Sequence, residues 1–454
     1  MRAFPTVVAA TACVAVALVL GGCSADGGDT ADADTVTVVY SKTDSFTALD
    51  TLLTQAKEQF EAENDGVTID LQPITATDDE YKTRLQLSLG SADTAPDVFY
   101  EDTFNVRSDV EAGFLLNLDE YVADWDEWEM FDEAAKTAGQ GEDGSVYALP
   151  LGTDTRVIWY NKNVLDAAGI EVPWQPESWD DILDAAAKIK ASQPDVVPFN
   201  MYAGTGTGEG TVMQSFYELL YGTGDGVGLY DDDEGKWVVE SPGFVDALTF
   251  LETLYSEGYA VTPDRALDPN VWQAVFGEMF PQDGLGATVE GSYTPSFWEE
   301  GGSYEWPEYG DVMGVALFPT QDGQEPGGVS MSGGWTLAAS AQTDVPDLAF
   351  EFLTTVLNQE NSLWYAINNA QIAVRTDVAA DPTYLEANPF VGPVSEAVAV
   401  THFRPANSDY PQISVAVQQA TEAVITGQQT AAEAAAAYDD AVRRIVGDDK
   451  VIAP

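Results

Sequence analysis

Basic residues are scarce. Lys and Arg number 18 against 76 Asp and Glu, a formal net charge of −58 at pH 7. An acidic excess of this size repels phosphate backbones and rules against nucleic acid as a general partner. Histidine is scarcer still, with His402 alone in the chain. That excludes a His-cluster metal site, and any Ser-His-Asp machinery would have to use this single imidazole. The two cysteines, Cys13 and Cys23, leave little room for a disulfide framework. Neither G-x-x-x-x-G-K-[ST] nor G-x-S-x-G occurs. The letters G-x-G-x-x-G do occur at residues 139–144, but they follow no clear strand, and Glu142 and Asp143 would repel a pyrophosphate. They read as a turn. Asp231-Asp232-Asp233-Glu234-Gly235 lacks EF-hand spacing and also reads as a turn. No metal and no cofactor is expected.

Hydrophobic residues make up 45% of the chain and aromatics 11%, enough for a substantial core. A length of 454 residues suggests two or three domains. The first 22 residues read as a secretory signal: Arg2, an apolar stretch at 7–20, then small residues. The apolar stretch is short for a membrane span, which needs about 20 residues. Leu20-Gly21-Gly22-Cys23 resembles a bacterial lipobox, which implies cleavage before Cys23 and lipidation of its thiol. Residues 23–34 are small, polar and acidic and read as a flexible tether. The acids beyond it are dispersed along the whole chain. Dispersed acid is a solubility device, familiar from proteins of high-salt, halophilic settings.

From residue 35 onward, strand and helix signals alternate. Residues 35–40 (TVTVVY) and 67–72 (VTIDLQ) read as strands, and 96–100 as a third. Between them, Leu49, Leu52, Leu53, Ala56 and Phe60 fall at helical spacing, as do Leu85 and Leu89. Residues 147–161 form a long extended stretch interrupted by Gly152. Ser178 with Asp181 three residues on marks a helix N-terminus before the apolar run 182–189. Further helices are expected at 243–259, 344–358, 431–437 and 439–446, and strands at 286–290, 310–319 and 333–340. The Gly-rich stretches 204–210 and 222–228 read as surface loops. The alternation predicts an α/β fold with helices on both faces of its sheets.

Several segments, weak alone, keep a telling order: Ala95-Pro96-Asp97-Val98, Tyr147-Ala148-Leu149-Pro150 running on to Trp159-Tyr160-Asn161-Lys162, and PESWDD at 176–181. ATVEGSY at 287–293, Gly333-Gly334-Trp335 and Tyr410-Pro411-Gln412-Ile413-Ser414 follow. In this order the chain resembles the extracellular solute-binding proteins of ABC importers, in the sugar-binding branch that includes maltose-binding protein. The resemblance implies two α/β lobes, a type II-like periplasmic-binding-protein fold, with a multi-crossing hinge and ligand between the lobes. Crossings would fall near 152–156, 290–293 and 333–336. Lobe 1 would be 35–152 with 292–334, and lobe 2 would be 153–291 with 335–454.

The resemblance also implies ligand-binding residues. Asp154 matches the acid just past the A-x-P segment, and Asp102 the acid just past P-D-V. Tyr293 matches the aromatic after Glu290-Gly291, and Gly334 and Trp335 match the G-G-x segment. Asp44, Glu290, Trp272, Arg375 and Arg404 complete the candidate set, with Trp298 near the proposed hinge. The palette suits a sugar: aromatic rings cover apolar C–H faces, while carboxylates and Arg bond the hydroxyl rim. Maltose-binding relatives carry a further stacking Trp after the P-Q-x-S segment, whereas residues 413–417 here offer no aromatic. The implied protein is no enzyme. It is a monomeric, lipid-anchored carbohydrate-binding protein on the extracellular face of the cytoplasmic membrane, with importer permease subunits as partners. The rivals are a binding protein for a polyamine or peptide, and a secreted glycoside hydrolase.

Overall fold

The computed structural model describes residues 35–43, 47–76, 78–224 and 226–454. The expected signal, tether and lipidation site at Cys23 lie outside the described residues, as does Asp44. The strands are β1 (Thr35–Ser41), β2 (Thr68–Ile74), β3 (Val98–Asp102), β4 (Ala148–Thr153), β5 (Arg156–Asn161), β6 (Val197–Asn200), β7 (Tyr230–Asp231) and β8 (Lys236–Val238). They continue with β9 (Leu285–Gly291), β10 (Met313–Ala316), β11 (Phe318–Pro319), β12 (Gly328–Met331), β13 (Gly334–Ala339), β14 (Thr401–His402) and β15 (Val451–Ile452). Among the described residues no helix is long and apolar enough to cross a membrane.

Two sheets carry the architecture. The first has the order β2-β1-β3-β13-β4, with β1 parallel to β2 and β3, and β13 antiparallel to β3 and β4. The second has the order β10-β5-β9-β6, with β5 antiparallel to both neighbours and β6 parallel to β9. Smaller sheets order as β11-β12-β14 and β15-β8-β7. Val36, Val38, Val39 and Tyr40 of β1 are all buried, as a strand covered on both faces requires. The helix Ala48–Glu63 buries Leu49, Leu52, Leu53, Ala56 and Phe60, a stripe at the helical period that faces the first sheet's core. Phe60 meets Phe352 of the helix Pro346–Val356 edge-on at 5.6 Å. The fold class matches the expectation, and so do most elements. The two helices expected at 431–437 and 439–446 are one, Ala431–Val446.

Strand pairing divides the chain differently from the expected lobe bounds. β10 pairs with β5 in the second sheet, so the chain does not leave that sheet for the first after residue 291. β13 and the helices Pro346–Val356 and Gln359–Asn368 belong to the first core, through Leu337, Phe352, Leu353 and Tyr365. The helices Tyr410–Ile425 and Ala431–Val446 return to the second. Thus 292–331 does not join the first lobe, and 335–454 is shared between both. The physical reason is that hydrogen-bond partners of a strand are fixed by remote backbone, which local sequence does not encode. The passage at 153–156 connects the two sheets, and 332–334 connects β12 of the smaller sheet β11-β12-β14 to β13 of the first.

Candidate functional site

The two sheets' strand ends converge on a cavity of about 290 Å³. From the first sheet come Tyr100 and Asp102 at the end of β3 and Trp335 on β13, whose register sets Trp335 opposite Asp102. Trp335 stacks on Tyr100 with ring centroids 4.4 Å apart and planes 6° from parallel. One indole face is therefore covered. Asp102 also caps the helix Thr103–Glu111, accepting the Phe104 N–H at 3.2 Å. Gly334 admits the close approach of two backbones: a Cβ there would sit 2.9 Å from the Gly152 carbonyl oxygen.

Between the sheets, Asp154 fastens the connection. Its Oδ1 accepts the Gly333 N–H at 2.7 Å and the Nη1 of Arg156, and both side chains are buried. The Arg156 guanidinium lies 5.9 Å from the centre of the Tyr293 ring. The Tyr293 hydroxyl accepts a hydrogen bond from Gln214 at 2.9 Å. Burial pushes the Tyr293 phenol up, and the neighbouring Glu290 adds to this.

From the second sheet's side come Thr207, Glu209 and Arg404. Arg404 donates through Nη2 to both oxygens of Asp102, at 2.7 and 2.9 Å. Its Nη1 reaches Glu209 at 3.5 Å. Glu209 in turn accepts the Tyr410 hydroxyl at 2.5 Å and the Ser414 hydroxyl. Tyr410 and Ser414 are one helical turn apart at the start of Tyr410–Ile425, so one face of that helix aims both at the carboxylate. Burial raises the Glu209 pKa, and Arg404 opposes the rise.

Of the sequence-derived candidates, Asp102, Asp154, Tyr293, Gly334, Trp335 and Arg404 line the cavity together. Glu290 does not. It is 3% exposed on β9, behind the lining, and faces the Tyr202 and Tyr293 hydroxyls. Arg375 is elsewhere and structural: it is paired with Glu127 at 2.7 Å and Asp377 at 2.8 Å, and it bonds the Leu357 carbonyl. Trp272 packs against Phe276 and Phe297, and Trp298 is fully buried with its Nε1 on the Phe276 carbonyl. The sequence reading missed Arg156, Glu209, Gln214 and Gln371, which also line the cavity. Glu209 lies in the Gly-rich 204–210 stretch, which reads as a surface loop, and Arg156 lies two residues past the candidate Asp154, at the end of the expected 152–156 crossing.

Comparison with known proteins agrees with this architecture. Residues 41–362 match the model of the bacterial extracellular solute-binding proteins. The maltodextrin-binding protein MdxE of Bacillus subtilis (strain 168) is 24% identical over 332 residues, 70% of this chain and 69% of MdxE. The melibiose/raffinose/stachyose-binding protein MelE of the same strain is 29% identical over 188 residues, 40% of each chain. The chain spans less than half the length of MelE and of several other curated relatives it matches. Among solved structures, maltose-bound MalE3 of T. maritima superposes with a TM-score of 0.76 at 21% identity, covering 91% of this chain and 100% of the other. The GacH receptor of Streptomyces glaucescens GLA.O gives 0.75 at 24% identity, with 91% and 99% covered. A cavity between two α/β sheets, lined from both, and a family match over residues 41–362 lead to one conclusion: the chain belongs to the bacterial extracellular solute-binding proteins.

Proposed function

We propose that the cavity captures a neutral carbohydrate, that the lobes close over it by hinge rotation, and that the closed form delivers it to the permease subunits of an ABC importer. One observation carries the reading: an aromatic platform and paired carboxylates share a single cavity. The free face of Trp335 and the ring of Tyr293 suit the C–H faces of a pyranose. A carboxylate only accepts hydrogen bonds, so Asp102 and Asp154 suit donating hydroxyls. With Oδ1 of Asp154 occupied by Gly333 and Arg156, Oδ2 is the ligand's acceptor. Arg156 and Arg404 neutralise Asp154 and Asp102 in the same cavity, which lowers its pull on a cationic ligand such as a polyamine. The carbohydrates named for MdxE, MelE and MalE3 support the class.

Lipid anchoring through Cys23, the extracellular side of the membrane as location and the monomeric state complete the proposal. The anchor rests on the sequence around Leu20 and Cys23. Labelled fatty acid should enter the wild-type protein and not the Cys23→Ser variant. A thermal-shift screen tests the ligand: mono- and oligosaccharides should raise Tm without being consumed, by about 2.7 kcal/mol of stabilisation at a hundredfold excess over Kd. A Tm rise with spermidine or peptides alone would reject the carbohydrate reading. Release of hydrolysed sugar would turn the assignment to a glycosidase.

A further inference from the structure

The contacts between Arg404 and the end of β3 bridge the cavity from protein to protein. Asp102 and Phe104 belong to the first sheet's side, at the end of β3 and the start of the helix Thr103–Glu111. Arg404 follows β14, which pairs with β12, and Tyr410 opens a helix of the second core. The Arg404 side chain is 5% exposed and that of Asp102 16%. Besides its two bonds to Asp102, the guanidinium lies over the Phe104 ring, 4.2 Å from its centre. Phe104 meets Tyr410 edge-on at 5.9 Å and packs against the second core although the chain places it on the first. Glu209, fixed by Tyr410 and Ser414, holds the other end of the guanidinium on its own side. The arrangement is built: a rigid carboxylate on one side aims an Arg at a helix-capping carboxylate on the other.

We infer that Asp102, Phe104, Arg404 and Tyr410 form an interlobe latch, with Arg404 its positioning residue, that holds the lobes partly closed in the ligand-free protein. Arg404 then acts through Asp102 and through the distance between lobes. A partly dry, charge-assisted pair of this kind resists screening by salt better than an exposed one. Pre-populating the closed form raises apparent affinity, because only the competent fraction binds tightly. Opening the latch is then a step that ligand exit must pass, so latch loss speeds release.

The inference rests on the two-lobed cavity and not on the ligand's identity, and the test uses no ligand. Small-angle scattering of the ligand-free protein is compared for the wild type, Arg404→Gln, Asp102→Asn and the double variant. Each single variant should raise the radius of gyration to a common value, and the double should add nothing. The closed-to-open ratio should fall roughly tenfold or more on losing the charged bonds. Arg404→Lys keeps the charge without the fork and should recover only part of the closed population. Equal radii for all four proteins, with melting lowered or not, would reduce the pair to a local structural contact and overturn the latch. So would opening in Arg404→Gln without opening in Asp102→Asn. Should Arg404→Gln fail to fold, Asp102→Asn alone decides by the same radius. A positive scattering result would stand even if no carbohydrate bound.

Discussion

Asp154 does two things at once. It neutralises Arg156, which is 5% exposed, and it ties Gly333 to the start of β5. Asp154→Ala would leave a buried guanidinium short of its closest counter-charge, which costs about 3–5 kcal/mol. The denaturation midpoint should fall accordingly, whereas Asp154→Asn, which still accepts the Gly333 N–H, should lose less. Equal midpoints for wild type and Asp154→Ala would contradict the pairing. Behind it lies Glu218, fully buried, with neither carboxylate oxygen hydrogen-bonded and with Arg156 and Glu290 as charged neighbours. Burial lifts Glu218 to about 8 and Glu290 to about 7. Both are near 4.3 when unfolded. Between these values the folded chain binds protons that the unfolded chain has lost. Their contribution to stability is full below about pH 4.3 and is lost as pH rises through 7 to 8. Burial lowers the pKa of His402, which gives the opposite sign, stability lost as pH falls. Glu218→Gln isolates the first effect: Tm should fall less steeply between pH 5 and 8 than in the wild type. Parallel curves would refute it. Arg156, Glu218 and Gln214 were not legible as a group, because periodicity shows which residues are buried and not which remote polar atoms they meet. Arg375 and Trp272 misled for the same reason: their partners Glu127 and Phe297 lie far off in sequence.

At the scale of elements, local chemistry was readable where it is local. Ser178 was expected to start a helix, and its hydroxyl accepts the Asp181 N–H while Asp181 accepts the Glu177 N–H. Ser178→Ala should cost about 1 kcal/mol, read as a lower denaturant midpoint at unchanged m-value. No change in midpoint would show the cap to be idle. The stripe of Leu49, Leu52, Leu53, Ala56 and Phe60 was legible for the same reason, since one turn of helix sets which residues share a face. The lobe bounds were not. β13 reads as a strand from its composition, but only the register against β3 and β4 brings it back to the first sheet and puts Trp335 opposite Asp102. Order along the chain carried the family resemblance, and through it Asp102, Asp154, Tyr293 and Trp335, without carrying the pairing that joins them.

The whole molecule holds 76 acids against 18 bases, and self-repulsion works against the compact state. Screening lengths fall from about 30 Å at 0.01 M salt to about 3 Å at 1 M. Tm should therefore rise between dilute buffer and molar salt, and a flat or falling curve would remove charge repulsion from the account. The same excess makes the cavity's two Arg residues conspicuous: two of the chain's few cations are held inside by Asp102, Asp154 and Glu209. Carboxylates fixed in this way suit the hydroxyl-bearing ligand proposed above.

The central claim is that this cavity binds carbohydrate on the Trp335 platform. Calorimetric titration of the sugar that most raises Tm, into wild type and Trp335→Ala, tests it most directly. One site is expected, weakened about tenfold to a few hundredfold in the variant, as loss of an aromatic face and about 1.4 kcal/mol per decade imply. Unchanged affinity in a Trp335→Ala protein that melts like the wild type would place the ligand elsewhere and contradict the account.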